Sequence, residues 1–318
     1  MSSTTDATHP LLGAYAMAPG DPNEATAFYR ALAELPIGGL EIPAPATDLE
    51  ADDVALIAAR LQPGWRVMLT AIPVVMGRLG SDPDYGLAST DDEARARALA
   101  DVARALDLAH RLADLAGKRR VTAIEVHSAP GPVLGDASSL SLSLETIAGW
   151  DLAGTQILIE HCDALVGGQR AAKGFLTLGD EIESIRAAGS PDPIGIGINW
   201  GRSAIEGRSA HTPIDHLATA SDAGLLRALV FSGASAQESA WGDAWGDAHI
   251  PSRGDDAALS ASSGSLLDTA AIAKALEAAG ARTDLAVKVS VRPRDIAVED
   301  RVAVARAVLT QLEAHRVA

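Results

Sequence analysis

The sequence predicts one α/β domain over residues 1–318, a (β/α)8 TIM barrel, and three observations carry that expectation. Short aliphatic or β-branched runs alternate with Ala/Leu/Glu/Arg-rich segments of helical period along the whole chain, without a linker. Eight strand-then-helix units in 318 residues is the arithmetic of this barrel. A doubly wound open sheet is the second choice, because it normally carries a glycine-rich phosphate turn after its first strand and "AYAMAPGDPNE" is not one.

The strands are expected at "LLGAYAMAP" (11–19), "IGGLEIP" (37–43), "WRVMLTAIP" (65–73), "VTAIEVHSAP" (121–130), "TQILIEHCDA" (155–164), "IGIGINWG" (194–201), "LLRALVFSG" (225–233) and "LAVKVSV" (285–291). The clearest helices are 90–117 and 265–280, the second opening on a Ser265 cap and closing on Gly280. The segment 298–316 supplies the eighth helix, and the polar residues 1–10 read as a flexible tail.

Composition bounds the rest. At 47% hydrophobic and 21% charged residues the chain reads as soluble and globular. The start "MSSTTDATHP" lacks the basic and apolar regions of a signal peptide, and no apolar run reaches membrane-spanning length. A cytoplasmic location without a membrane partner is therefore expected. The single cysteine, Cys162, rules out an internal disulfide and multi-cysteine zinc sites. A net charge of −16 argues against a nucleic-acid partner.

Strand parity then selects what faces the lumen, because successive side chains point to opposite sides of a strand and the helix-facing side must be apolar. Ile194, Ile196 and Ile198 go outward, leaving Gly195, Gly197 and Asn199 inside. Leu285, Val287 and Val289 go outward, which turns Lys288 inward. The same rule places Glu41, Glu125, His127, Glu160 and Ser232 inside, toward the strand ends where barrel enzymes keep their active sites. Three carboxylates in one pocket disfavour one another's ionisation unless a cation compensates. Lys288, one of four lysines, is one candidate for that cation and a metal ion is the other.

The stretches "GLEIP", "IEVHSAPG", "ILIEH" and "DAHIPSRGDDA" with "GSLLDTAAIAKAL" resemble the xylose-isomerase-like barrel superfamily of sugar isomerases and epimerases, lyases, deglycosidases and endonuclease IV. More narrowly, the whole chain is similar to the DUF4862 family. For the metal-dependent superfamily members the resemblance implies ligands ending strands five to eight: Glu, Asp, His and Glu. Glu160 matches the first, whereas Asn199, Ser232 and Lys288 stand at the other three positions and "NWGR" puts Arg202 where a second His is expected. A lysine ammonium has no lone pair to offer a metal. The expectation is therefore no cofactor, with the Lys288 charge in the metal's electrostatic role. A divalent metal (Mn, Mg or Zn) on His127, Glu160, Asp247 and His249 is the alternative, since His127, Asp247 and His249 match metal-binding positions of the endonuclease branch.

The reading this supports is a sugar or sugar-acid isomerase or epimerase with Glu160, Lys288 and His127 as catalytic residues. Glu41, Glu125, Asn199, Trp200, Arg202, Ser232, Trp241, Trp245, Asp247 and His249 are the candidates for binding a small carbohydrate. The tandem "WGDA" places Trp241 and Trp245 near the mouth, where indole faces stack on sugar rings. Arg202 and Arg208 are candidates for a carboxylate, phosphate or sulfonate. His161 should face the helices and Cys162 should be core. The alternatives are a lyase or deglycosidase working by β-elimination, a Schiff base on Lys288, and a non-catalytic sugar-binding barrel. Nearby carboxylates would raise the lysine's pKa and so disfavour the Schiff base. The resemblance also allows a homo-oligomer.

Overall fold

In the computed structural model, which describes residues 9–189 and 192–316, eight parallel strands close into a barrel in sequence order. They are β1 (Leu11–Leu12), β2 (Gly39–Pro43), β3 (Arg66–Thr70), β4 (Val121–Val126), β5 (Gln156–His161), β6 (Ile194–Asn199), β7 (Leu226–Phe231) and β8 (Asp284–Val287). Each strand pairs with the next, and β8 closes on β1 through Leu11↔Ala286 and Leu12↔Val287. The intervening helices are α1 (Pro22–Ala31), α2 (Ala51–Ala59), α3 (Ile72–Leu79), α4 (Asp92–Ala116), α5 (Ala137–Ala148), α6 (Leu178–Ala187), α7 (Trp200–Gly207), α8 (Thr212–Asp222), α9 (Thr269–Ala279) and α10 (Val298–Arg316). No helix of the described residues is long and apolar enough to cross a membrane.

Strand parity separates the two faces of the sheet as expected. Leu11, Met68, Ala123, Leu158, Ala228, Val230 and Ala286 form a separate small apolar cluster that plugs the lumen. Ile194, Ile196, Ile198, Leu40, Val287 and Val289 instead belong to the larger cluster between barrel and helices. Above the plug, further along the inward face of each strand, the side chains become polar.

Most strands are shorter than their sequence runs, because their C-terminal ends leave the ladder to build the mouth. The first is the extreme case: Gly13 still donates to Val287 O at 2.8 Å, but Ala14–Ala16 then turn into a 3-10 helix. Lys288 lies one residue beyond β8, yet its backbone N–H donates to Phe231 O at 2.9 Å, so the strand parity still governs its direction. The cap of α9 also differs from expectation. The Asp268 carboxylate accepts from Ala271 N at 2.8 Å, while Ser265 is buried and bonds Leu267 N, so Asp268 and not Ser265 starts the helix. Within the expected tail, residues 1–8 lie outside the described residues, and Pro10 is tied down by a bond from Gly38 N to its carbonyl.

Candidate active site

Glu160, the last inward residue of β5, is the hub of the lumen. Its Oε1 accepts from Asn199 Nδ2 at 2.9 Å and lies 3.7 Å from Lys288 Nζ. Its Oε2 lies 2.6 Å from Arg202 Nη1 and 3.0 Å from His127 Nε2. Burial disfavours this carboxylate, but Arg202 and Lys288, followed by the His127 hydrogen bond, together hold its pKa well below the usual range. Glu160 is therefore an ionised anchor whose oxygens are already taken.

Lys288 Nζ makes its shortest contact with Glu41 Oε1, 2.6 Å away, as a close ion pair set off the line of a good hydrogen bond. The side chain is fully buried. Burial works against the ammonium, but Glu160 and Glu41 outweigh it and hold the lysine protonated. Tyr15 sits over the pair, with Oη 3.3 Å from Glu41 Oε1 and its ring 5.6 Å from Nζ. Glu125, by contrast, has no well-formed hydrogen bond on either oxygen, with only the Thr70 hydroxyl nearby, and burial plus the charges of Glu160 and Glu41 push its pKa well up. Of the three carboxyls it is the one whose ionised form is least supported.

Buried polar atoms without a protein partner concentrate in this layer: Glu41 Oε2, Thr70 Oγ1, both Glu125 oxygens and His127 Nδ1. Such groups are uncommon in protein interiors and mark places where a polar ligand has something to bond.

A second charged cluster lies nearer the mouth. Asp247 accepts from Arg202 Nε at 3.1 Å, pairs with Lys173 Nζ at 3.0 Å and lies 3.4 Å from His249 Nδ1. Ser232 Oγ is 2.9 Å from that same nitrogen. Burial, opposed only in part by neighbouring charge, lowers both His127 and His249 to about 4, so both are neutral at pH 7. Two neutral histidines, each against a carboxylate, are thus joined through one guanidinium, Arg202.

The donor set at the position implied for a metal does not fit one. Its carboxylate is bound by two cations, Asn199 Oδ1 is occupied as the cap of α7 by Arg202 N at 3.2 Å, and the other two groups are a hydroxyl and an ammonium. The set His127, Glu160, Asp247 and His249 is interrupted by the Arg202 guanidinium, which bonds Glu160 on one side and Asp247 on the other. Cys162 Sγ lies within 4.8 Å of the facing atoms of His127 and Glu160, but those two already bond each other.

A cavity of about 320 Å³ opens above this layer, lined by Tyr15, Trp241, Asp247, His249, Arg292 and Arg294. A larger one, about 780 Å³, lies at the opposite end of the barrel around Arg66 and Asp284 and touches none of the polar strand-end residues. The mouth cavity reaches the outer charged cluster through Asp247 and His249, whereas Glu41, Glu125, His127, Glu160 and Lys288 are buried beneath it and do not line it.

Of the aromatic candidates, Trp241 borders the mouth cavity with its indole N–H fixed to Ala261 O. Trp245 is half-buried under the Arg208 guanidinium, 5.4 Å from its ring. Trp200 is fully buried in the outer apolar layer, one residue out of phase with Asn199, and does not face the lumen. Tyr15, Lys173, Arg292 and Arg294 are additions that sequence reasoning missed. Tyr15 falls inside a run that reads as strand, and the other three lie in loops where neither period applies.

A family model described as a domain of unknown function, DUF4862, matches residues 11–304. An uncharacterized protein of Salmonella typhimurium, STM3670, is 37% identical over 235 residues, 70% of this chain and 72% of that protein. Among solved structures, D-psicose 3-epimerase with D-tagatose from Clostridium cellulolyticum H10 superposes with a TM-score of 0.60 at 14% identity, over 97% of this chain and 98% of that one. Endonuclease IV from Thermus thermophilus superposes with a TM-score of 0.55 at 14% identity, over 96% and 98% of the two chains. At that identity the superpositions show a shared fold.

Proposed function

The chain belongs to the DUF4862 family, and from that premise we propose that it is an isomerase or epimerase of anionic sugars that moves a proton α to a carbonyl without a lumen metal. The observation that carries this reading is the contact of two buried cations, Lys288 and Arg202, with Glu160 at the strand ends where barrel sites lie. An oxygen that becomes negative as a proton leaves the neighbouring carbon needs fixed positive charge in a dry site. Lys288 supplies it, and Glu125, whose pKa burial and the neighbouring carboxylates push well up, adds a donor whenever it carries its proton.

Glu160 is a poor proton acceptor in this arrangement, because its cationic neighbours hold it ionised and lower its basicity. Its role is to orient His127 and to hold Lys288 and Arg202 in place. Burial lowers the basicity of His249 and His127 as well, but both are unprotonated at pH 7 and have a nitrogen free of any cation: His249 borders the cavity with Asp247 behind its Nδ1, and His127 Nδ1 has no protein partner. A histidine backed by a carboxylate is a familiar general base, and two of them allow a proton to be taken and returned by different groups.

Arg292 and Arg294 support an anionic substrate. In a chain of net charge −16, neither makes an ion pair with a carboxylate among the described residues, and both line the mouth cavity. Arg202, a candidate named from sequence, is used on Glu160 and Asp247; Arg208, the other, bonds Arg170 O and lies over Trp245 outside the cavity lining. Arg292 likewise bonds Ala240 O and Val291 O and lies over Trp241, but at the cavity and with no carboxylate partner among the described residues. A D-psicose epimerase among the structural neighbours is consistent with carbohydrate chemistry.

The test is incubation with pools of sugar acids and sugar phosphates in deuterated water, read by NMR. Deuterium at the carbon next to the carbonyl, lost in His249→Gln, supports the reading. The clamp on Glu160 also favours a second reading, a sugar-binding barrel without turnover, which saturable binding with no exchange would select.

A further inference from the structure

Outside the lumen, between β5, α6, α7 and α8, a second group of titratable side chains has no part in the proposed reaction. His161 points away from the barrel axis and is fully buried. Its Nε2 lies 3.1 Å from Glu206 Oε2, and the other Glu206 oxygen lies 3.5 Å from His216 Nε2. The His161 and His216 rings stand 4.8 Å apart at 78°, and the facing atoms of all three residues lie within 4.8 Å of one another.

From this geometry we infer that His161, Glu206 and His216 form a divalent transition-metal site, of zinc class, on the outside of the barrel. The inference is independent of the sugar chemistry in the lumen. Ligands of a tetrahedral zinc lie about 3.3 Å from one another when each bond is about 2.0 Å. The His161 and His216 nitrogens approach different oxygens of Glu206 at 3.1 and 3.5 Å, and the three facing atoms lie within 4.8 Å, so a modest closure of the cluster would bring them to that spacing. A pair of imidazoles and one carboxylate is a set that binds zinc, cobalt or nickel in preference to magnesium or calcium. His216 and Glu206 retain 14% and 15% side-chain exposure, which leaves a route for an ion and for a solvent ligand in the remaining position.

The groups behind the three residues point the same way. Metal-binding histidines usually donate their other ring N–H to a carboxylate, carbonyl or similar acceptor, which fixes the tautomer that presents a lone pair to the ion. His161 Nδ1 lies 2.8 Å from Glu181 Oε2, and Glu181 is held by Ser128 Oγ at 2.6 Å. His216 Nδ1 lies 3.0 Å from Ser203 Oγ. Ala164 N–H donates to Glu206 Oε2 at 2.8 Å and fixes the carboxylate. In the metal-bound form both Nδ1 atoms would donate, to Glu181 and to Ser203, and both Nε2 lone pairs would face the ion beside Glu206. The metal-free alternative is a protonated His161 shared by Glu181 and Glu206, with His216 donating from Nε2 to Glu206 and accepting from Ser203 at Nδ1, and the experiment below separates the two.

The experiment uses the full chain, stripped with a chelator and titrated with cobalt(II), read by visible ligand-field absorption and by metal content after desalting. One cobalt per chain with a low-symmetry spectrum is expected. It should be lost in His216→Ala and Glu206→Gln and retained in His127→Ala. Ser203→Ala and Glu181→Gln should each weaken binding about 10–100-fold, the usual effect of removing a group that orients a ligand. Circular dichroism melts show which variants fold, and His216→Ala, at the edge of the cluster, decides the matter if Glu206→Gln does not. Absence of cobalt binding by the wild-type chain overturns the site. So does binding that persists in His216→Ala and disappears in His127→Ala, which would place the ion in the lumen and overturn the metal-free reading as well.

Discussion

Replacing Lys288 by Met removes the buried cation while keeping most of the volume of its stem. Glu160 keeps Arg202, Asn199 and His127, so the uncompensated charge falls on Glu41, whose remaining partner is Tyr15 Oη at 3.3 Å. Breaking a buried pair on one side costs roughly 3–5 kcal/mol, and the lower end applies here because Glu41 can take up a proton. At about 2 °C per kcal/mol for a chain of this size, the melting temperature should drop by ~6 °C or more at neutral pH. Glu41→Gln in the same chain removes the stranded charge and should recover about half of the loss. The pH dependence has a definite sign. Burial already raises the Glu41 pKa in the intact protein, so its protonated form favours the fold below the ordinary value of 4.5, and that contribution is lost as pH rises through the folded-state value. Without Lys288 the folded value rises further, so the deficit of the variant should be small in acid and grow toward neutrality. Urea unfolding at several pH values checks all three statements. A single variant within about 1 kcal/mol of wild type at neutral pH, or a double variant no better than the single, would refute the compensation of Glu41 by Lys288.

Other perturbations test neighbouring parts of the site. His127 and His249 are lowered to about 4 from the ordinary imidazole value of 6.5, so they support the fold above 6.5 and that support is withdrawn as pH falls toward 4. The melting temperature should fall across that window, and the fall should be shallower in His127→Gln. Gly13→Ala puts a Cβ 2.9 Å from Glu41 Oε2 and 3.0 Å from Lys288 Cγ, on a backbone fixed by the bond to Val287 O. A cost of about 1–3 kcal/mol in urea unfolding is expected, as for other overpacked sites. Arg292→Ala and Arg294→Ala should each weaken binding of a sugar acid or sugar phosphate about tenfold or more by calorimetry, since a hydrogen bond to a charged group is worth roughly 1.5–3 kcal/mol. Neutral sugars should be unaffected.

The barrel and its inward polar layer were legible because both follow from a period of two applied to strongly apolar strands. Ile194, Ile196 and Ile198 alone leave no choice about where Asn199 points. The same rule turns Lys288 inward although its strand ends one residue earlier, since the ladder bond from its own N–H preserves the phase. Parity also places Trp200 outward, and naming it as a binding residue follows the motif "NWGR" against the period; the outer layer is where it lies. What periodicity does not carry is which groups meet across the barrel.

Arg202 illustrates that limit. From the sequence it is a loop cation available to a substrate anion, whereas in the fold it is 1% exposed and spans Glu160 and Asp247, residues 42 and 45 positions away. Its position on the first turn of α7 follows from Asn199, whose side chain caps that helix through Arg202 N and at the same time donates to Glu160. One residue thus ends a strand, starts a helix and anchors the hub carboxylate. An aspartate at 199 could still cap the helix, but it would have no amide N–H for Glu160 and would set a second carboxylate against it. Asn199→Asp should therefore raise the Glu160 pKa and weaken the fold. Lys288→Glu alone would add a further carboxylate while leaving Arg202 in the way, so conversion to a metal-binding lumen requires Arg202 to leave as well. Isothermal titration with manganese should accordingly detect no gain in Lys288→Glu and should detect binding only when Arg202, Asn199 and Lys288 are changed together.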